Sequence, residues 1–401
     1  MNPECAVSAL EERPEPDLAW AAERRAEFPA IAGHPEHTYL DSAATAQKPA
    51  TVIEAVRRHL EGGTGNVGRG NHRWGRRAEA EMERCREAVR DLIGCGHTTG
   101  TVNLVSGTTE AIRRAALDIV LPELKAGDQL VVPLADHKAN VEPWRELEGM
   151  ASAAGRPIEL VPMPYDSTGD YDLERLACLV GPRTRLVAAT HVHHVFGAEM
   201  RIRELREAVG PEVPILLDAA QSMGHVPVDV DALDIDLVAF SGHKVMAHTG
   251  IGVLWTRDLR LPSPALPGLE ATPNVVGAVS LARACEWLMA ASVERIAAHT
   301  EALVNRLARG LVEIPGVELA GCPGADRVGS LPARTSLVAF RHQAVPSVDL
   351  GFALDSAGIS VRADALCQAG RSPSEGLVRA SVHVYNTHSE VDRLLEALIG
   401  L

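Results

Sequence analysis

The chain has 401 residues, 46% hydrophobic and 23% charged, with a formal net charge of -14. That length exceeds one simple core and predicts two domains, while the acidic balance excludes nucleic acid or an anionic membrane as a general partner, because both reward a basic surface. Seven scattered cysteines without a C-x-x-C pair fit reduced thiols, and no run approaches the ~18 apolar residues of a membrane span, so the chain reads as cytoplasmic.

Residues 1–30 are polar and helix-prone, and we read them as an N-terminal segment packing on the smaller of two domains. Tyr39-Leu-Asp-Ser-Ala-Ala-Thr45 is a short strand entering a small-residue turn, and Val52, Ile53, Val56 and Leu60 share one helix face. Gly63-Thr-Gly65-Asn-Val-Gly68 has the G-x-G-x-x-G form but follows a helix, which removes the strand context a dinucleotide loop needs. Apolar runs at Val102–Val105, Gln129–Val132, Arg185–Thr190, Ile215–Leu217 and Leu237–Phe240 then alternate with helical segments. This pattern predicts an α/β fold with a mainly parallel, helix-covered sheet. A Pro-rich break at Leu261–Gly268 divides a large domain, 31–268, from a small α+β domain, 269–401. The small domain is expected to hold helices over about 275–312 and 389–400, with strands around 336–341, 359–362 and 378–383.

Ligands of open α/β sheets bind beyond the carboxyl ends of the strands. Asp218 ends one run, Ser241-Gly-His-Lys244 ends another, and Ser106-Gly-Thr-Thr-Glu110 joins a strand to the helix Ala111–Ile119, where free amides and hydroxyls suit a phosphate or simply cap the helix. A lysine for a Schiff base, a carboxylate for a pyridinium nitrogen and small donors for a phosphate together describe a pyridoxal 5'-phosphate (PLP) site. His137 follows the 129–132 strand and so lies on the same rim. His191, His193 and His194 include alternate residues of a strand and suit zinc, but a third ligand would have to come from Asp218 or His225, and no metal is expected. Cys367 precedes a turn-rich segment from which a thiol can reach a site.

Taken in order, Tyr39–Thr45, Asn66-Val-Gly-Arg-Gly-Asn-His72, Ser106–Glu110, Asp136-His-Lys-Ala-Asn140, Thr190-His-Val, Asp218-Ala-Ala-Gln221, Ser241–Lys244, Thr272-Pro-Asn274 and Arg379-Ala-Ser381 resemble the cysteine desulfurases, especially the sulfur-mobilisation group. The likeness runs from about residue 36 to the C-terminus. It implies a fold type I, class V aminotransferase architecture and a PLP-dependent homodimer that takes a small amino acid as substrate. A sulfur-acceptor protein is a further partner it implies.

The resemblance makes Lys244 the lysine bonded to the cofactor aldehyde and the proton carrier, Asp218 the partner of the ring nitrogen, and His137 the ring that stacks on it. Thr108 or Thr109, Ser241 and His243 would bind phosphate, with Thr272 doing so from the partner subunit, while Gln221 and His194 would lie near the phenolic oxygen. Arg379 would grip the substrate carboxylate, a task suited to a guanidinium fork, with Asn66 and Ala43 beside the substrate. Cys367 would take the sulfur as a persulfide, leaving alanine.

Three regions depart from the family pattern. Ala365 and Leu366 replace histidines before Cys367, His193-His194 replaces Ser-Asn, and the stretch between Trp255 and Glu270 is too short for the Gly-rich hairpin sent to the neighbouring subunit. These changes touch substrate or thiol rather than the cofactor anchor, which leaves a class V aminotransferase, epimerase or β-eliminating C–S lyase as the alternative.

Overall fold

The computed structural model describes residues 17–68, 71–96, 99–165, 170–257, 272–321, 334–369 and 376–400. Its principal sheet contains β1 (Gly100–Val105), β2 (Gln129–Val132), β3 (Glu159–Pro162), β4 (Thr184–Thr190), β5 (Ile215–Asp218), β6 (Leu237–Ser241) and β7 (Gly252–Arg257) in the order β1-β7-β6-β5-β4-β2-β3. Strands β2 to β6 pair in parallel, and β7 runs antiparallel between β6 and β1.

Continuous apolar runs suit these strands because both faces are buried. Val131, Leu217, Val238 and Phe240 enter one core, whereas Leu130, Val132, Leu216, Leu237 and Ala239 enter the other. Burying each such aliphatic side chain contributes roughly 1.5–3 kcal/mol. Helices α1 (Leu18–Arg25), α2 (Ala50–Glu61) and α3 (Arg73–Leu92) add Trp20, Val52, Met82, Cys85 and Val89 to the first core. The second core receives Ala111 and Ile112 from α4 (Thr108–Arg114), and Trp144 and Leu147 from α5 (Glu142–Ala153). After α4 the helix widens into a π-helical stretch, Ala115–Val120, a feature that frequently accompanies functional sites.

The second sheet is antiparallel: β8 (Val317–Leu319), β9 (Leu337–His342), β10 (Arg362–Asp364) and β11 (Leu377–Ser381), ordered β10-β11-β9-β8. Its apolar face meets α9 (Val293–Val312), α10 (Ser347–Ser356) and α11 (His388–Ile399) around Leu303, Leu307, Phe340, Leu354, Val378 and Leu394. Thr387 and Glu390 close a reciprocal capping box at the start of α11. Thr38–Tyr39 pairs in parallel with Ile359–Ser360, which ties this early segment of the chain to the C-terminal layer.

The long helix expected over 275–312 is two helices. Helix α8 (Val275–Ala291) meets α9 at 78°, because Ser292 adopts φ +67 and uses its hydroxyl to cap α9. Helix α8 lies on the core of the principal sheet, and α9 crosses to the second core. The Pro-rich break, the 268/269 boundary and the shortened hairpin region lie at residues outside the described part. Within the N-terminal segment, Arg25 pairs with Glu390 at 2.9 Å, and Phe28 packs edge-on against Trp287 and Tyr385. Among the described residues no single helix is long and apolar enough to cross a membrane.

Candidate active site

Adjacent parallel strands bring their carboxyl ends to one rim, where Thr190, Asp218 and Ala239 stand in register. Strand β6 ends at Ser241 and turns directly into the 3-10 segment Gly242–Lys244. Glycine is required at 242 because a Cβ would lie 2.6 Å from Ile251 Cγ2. A backbone hydrogen bond from Gly242 N to Ile251 O, 2.8 Å, fixes the turn, and the His243 carbonyl accepts from Ala46 N at 3.0 Å. The turn delivers Lys244 into a cavity of ≈ 210 Å³.

Eleven of the fourteen residues singled out from the sequence line that cavity: Lys244, Asp218, His137, Gln221, Thr108, Thr109, Ser241, His243, His194, Arg379 and Ala43. The other three do not. Cys367 sits at the edge, one hydrogen bond from a lining residue, and Asn66 and Thr272 are exposed in the single chain.

Lys244 has no carboxylate within 4.0 Å among the described residues, and burial pushes its pKa down to about 8 despite the attraction of Asp218. Asp218 moves the other way. Burial lifts it to about 6, opposed by the Ala220 amide, which donates to Oδ1 at 2.9 Å, and by Lys244. The cleft therefore holds an amine and an acid whose charge states lie near neutrality, a condition that favours proton transfer.

At the other end, the Thr108 amide donates to Ser241 Oγ at 2.8 Å, and the two hydroxyls are 2.7 Å apart. This contact depends on Gly107 lying close against β7: a Cβ on Gly252 would come within 2.5 Å of Gly107 Cα. His243 stays neutral there, pushed down to about 4 by burial and then by Lys244 and Lys48. Gln221 donates through Nε2 to the Ala43 carbonyl at 3.0 Å and so anchors the segment bearing Ala43.

The histidines divide into distinct roles. His137 accepts the Ala139 amide at Nδ1 and meets the His194 ring edge-on at 5.1 Å. Burial, followed by Lys244, drives His137 down to about 3. His193 accepts the Val195 and Phe196 amides at Nδ1, both at 3.2 Å, leaving its proton on Nε2, which lies 2.6 Å from Asp136 Oδ1. Asp136, His193 and His194 offer atoms within 4.8 Å of one another, yet a metal would have to strip that Nε2 proton from an imidazole already accepting at Nδ1. The trio is better satisfied as an Nε2–H facing Asp136 beside a free ring. Although burial favours its neutral form, Asp136 is held below the usual carboxylate range by His193 and the Thr190 hydroxyl.

Arg379 is 2% exposed; it donates to the His194 carbonyl at 3.1 Å and reaches Asp41 at 3.4 Å, while its buried Nε has no partner. Arg362 was not among the residues singled out from the sequence. In the fold it lines the cleft, clasps Asp364 at 2.9 Å and donates to Cys367 Sγ at 3.0 Å. A signal was available, since Arg362 lies five residues before Cys367, but its place opposite Arg379 requires the strand register. Leu366 and Cys367 both have positive φ, +53 and +55. Leu366 is fully buried against Val195, Ala339 and Leu377, and the Cys367 carbonyl accepts from Lys138 N at 3.1 Å. Apolar anchoring thus stands at the position where Leu366 departs from the histidine of the resembled pattern, and burial of Leu366 offsets the strained backbone.

The family model for class-V aminotransferases matches residues 38–268 and 262–394. A probable cysteine desulfurase from Vibrio cholerae is 33% identical over 405 residues, covering 93% of this chain and 96% of its own length. A cysteine desulfurase from Escherichia coli O127:H6 is 34% identical over 406 residues, with the same shares of 93% and 96%. Among solved structures, the apo cysteine desulfurase from Thermococcus onnurineus NA1 superposes with a TM-score of 0.83 at 28% identity, covering 94% of this chain and 97% of that one. An Escherichia coli cysteine desulfurase in its S-sulfonic acid form gives 0.78 at 30% identity, with the same coverage.

Proposed function

We propose, on the footing that this chain belongs to the class-V aminotransferase family and within it to the cysteine desulfurases, that it cleaves the C–S bond of L-cysteine or a close relative with PLP as cofactor. The observation that carries this reading is the Lys244–Asp218 pair, two buried groups brought to one rim by adjacent strand ends, with the amine near 8 and the acid near 6. The residues present fit the cofactor. Among the described residues Lys244 offers an amine without a carboxylate partner, Thr108, Thr109, Ser241 and His243 line the same cavity and offer donors to a phosphate, and the buried Nε of Arg379, which also lines it, is unpaired.

When bound, the cofactor supplies an electron sink for the substrate carbon skeleton. Lys244 would hold its aldehyde and carry the proton at the substrate Cα. Asp218 would keep the ring nitrogen protonated, and His137 would cover the ring face. Arg379 would receive the α-carboxylate. Arg362 orients Cys367, whose thiolate would attack the substrate sulfur. The S–S bond forms as the C–S bond breaks, and a proton completes the methyl group, so cysteine and one enzyme thiol become alanine and one persulfide.

A homodimer would cover the exposed Asn66 and Thr272, and a sulfur-acceptor protein would discharge the persulfide. The acidic charge supports a protein that binds neither nucleic acid nor an anionic membrane, and the scattered cysteines without a C-x-x-C pair support a cytoplasmic one. Cys367 at the cavity edge favours, as a second reading, a class V aminotransferase, epimerase or β-eliminating lyase that does not use the thiol. Incubation with L-cysteine separates the two: alanine and sulfide lost in Cys367→Ser support desulfuration, whereas unchanged turnover with pyruvate as product supports elimination.

A further inference from the structure

Lys48 is a half-buried lysine that, among the described residues, has no carboxylate within 4.0 Å, and burial alone holds it below the ordinary lysine value. Its Nζ donates to the Ala46 carbonyl at 2.6 Å and to Thr45 Oγ1 at 3.3 Å, both neutral oxygens. Taking a charge out of water is costly unless an opposite charge receives it. The same two residues lead to the cleft: Thr45 donates through Oγ1 to the His243 carbonyl at 3.2 Å, and Ala46 N donates to that carbonyl at 3.0 Å. Lys48 thus stands two hydrogen bonds behind a lining residue without lining the cavity itself.

The end of the cleft that Lys48 backs offers donors but no net positive charge. Thr108, Thr109 and Ser241 are neutral, His243 is held neutral, and Glu110 in the first turn of α4 brings the wrong sign for an anion. The arginines serve the other end: Arg362 and Arg379 act on His137 and Lys244, whereas the cations that act on His243 are Lys244 and Lys48. Lys244 is spent on the aldehyde once a cofactor is held. Among the described residues Lys48 is then the cation left to that end.

We propose that Lys48 gives the cleft its preference for a phosphorylated cofactor, supplying through space the positive charge that the neutral donors lack. It acts as a positioning residue, because its ammonium braces Thr45 and Ala46 against the His243 carbonyl and sets the potential where the phosphate oxygens would lie. This rests on the cleft being a PLP site and deepens that reading, since it accounts for recognition of the anion separately from the aldehyde.

The test compares two ligands that differ only at the phosphate end. Apo-protein prepared from the holoenzyme is titrated with PLP and with 5'-deoxypyridoxal, which keeps the aldehyde and ring nitrogen and lacks the phosphate, and binding is read from visible absorbance. Lys48→Gln should bind PLP about tenfold more weakly, the size of a Coulomb interaction between an ammonium and a phosphate in a part-solvated site, and should bind 5'-deoxypyridoxal as the wild type does. Lys48→Arg, which keeps the charge, should stay within about threefold of wild type for PLP. The advantage of wild type over Lys48→Gln should shrink between about 0.05 M and about 0.5 M salt, as screening of a part-exposed charge requires. Equal PLP affinity in Lys48→Gln and wild type overturns the proposal, and so does an equal loss for both ligands, which would make Lys48 a brace for its segment and nothing more. If Lys48→Gln does not fold, Lys48→Met, which keeps the apolar stem, makes the same comparison, and failure of both to fold overturns the proposal as well. Wild-type protein that binds neither ligand would instead overturn the cofactor reading itself, so the two failures are distinct.

Discussion

Arg362 and Arg379 stand directly opposite each other across the β10–β11 pair, and both line the same cleft. Like charges in register destabilise a sheet, and here each guanidinium has a different partial counterweight: Asp364 at 2.9 Å for Arg362 and Asp41 at 3.4 Å for Arg379. The looser pair leaves Arg379 to receive an anion, while the tighter one leaves Arg362 a remaining donor for Cys367 Sγ.

Substitution should separate these tasks. Arg379→Ala is expected to lower kcat/KM for cysteine about a hundredfold, largely through KM, as loss of a charge-assisted carboxylate contact predicts. Arg362→Gln should leave the absorbance change on substrate binding near normal while slowing sulfur release. Stopped-flow spectra together with sulfide assays distinguish the two effects.

Cofactor capture should depend on pH. Lys244 is pushed down to about 8 by burial, so the reactive free amine increases as pH rises from 7 to 9. The rate at which apo-protein takes up PLP should climb through that interval and level off above it; a flat profile across pH 7–9 would count against a depressed Lys244.

Folding stability should be acid-sensitive through a second group of histidines. His225 and His383 lie 4.3 Å apart, ring to ring, and His299 bonds the Asn386 carbonyl nearby. Burial lowers all three, His225 to about 4 with a further contribution from Lys244. Their folded pKa values lie below the unfolded value of about 6.5. The unfolded chain therefore binds more protons in acid, and stability is lost as pH falls from about 6.5 toward 4. Urea midpoints should drop over that window by on the order of a few kcal/mol equivalent, and His383→Phe should flatten the slope.

Gly252→Ala tests the phosphate end. The added Cβ would meet Gly107 Cα at 2.5 Å and the Phe240 carbonyl at 2.7 Å, displacing the turn that presents Thr108 to Ser241. Weaker PLP binding with the rest of the fold retained is the expected result, read by cofactor titration and circular dichroism.

The parallel sheet was legible because strands buried on both faces leave unbroken apolar runs, and the rim followed from where those runs end in Asp218 and Ser241. Strand β3 was not, since Glu159-Leu-Val-Pro162 is a short edge strand whose proline argues against pairing. The break at Ser292 carries no glycine or proline to announce it. The partnership of His193 with Asp136 and the position of Arg362 depend on contacts between residues far apart in the chain or on register, which local pattern does not encode.

The central claim concerns one nitrogen. Borohydride treatment of PLP-loaded protein, followed by proteolysis and mass spectrometry, should place the reduced cofactor on the peptide containing Lys244 and remove the visible absorbance. Recovery of unmodified Lys244 peptide with the cofactor released free, or its attachment at another lysine such as Lys48, would contradict the account.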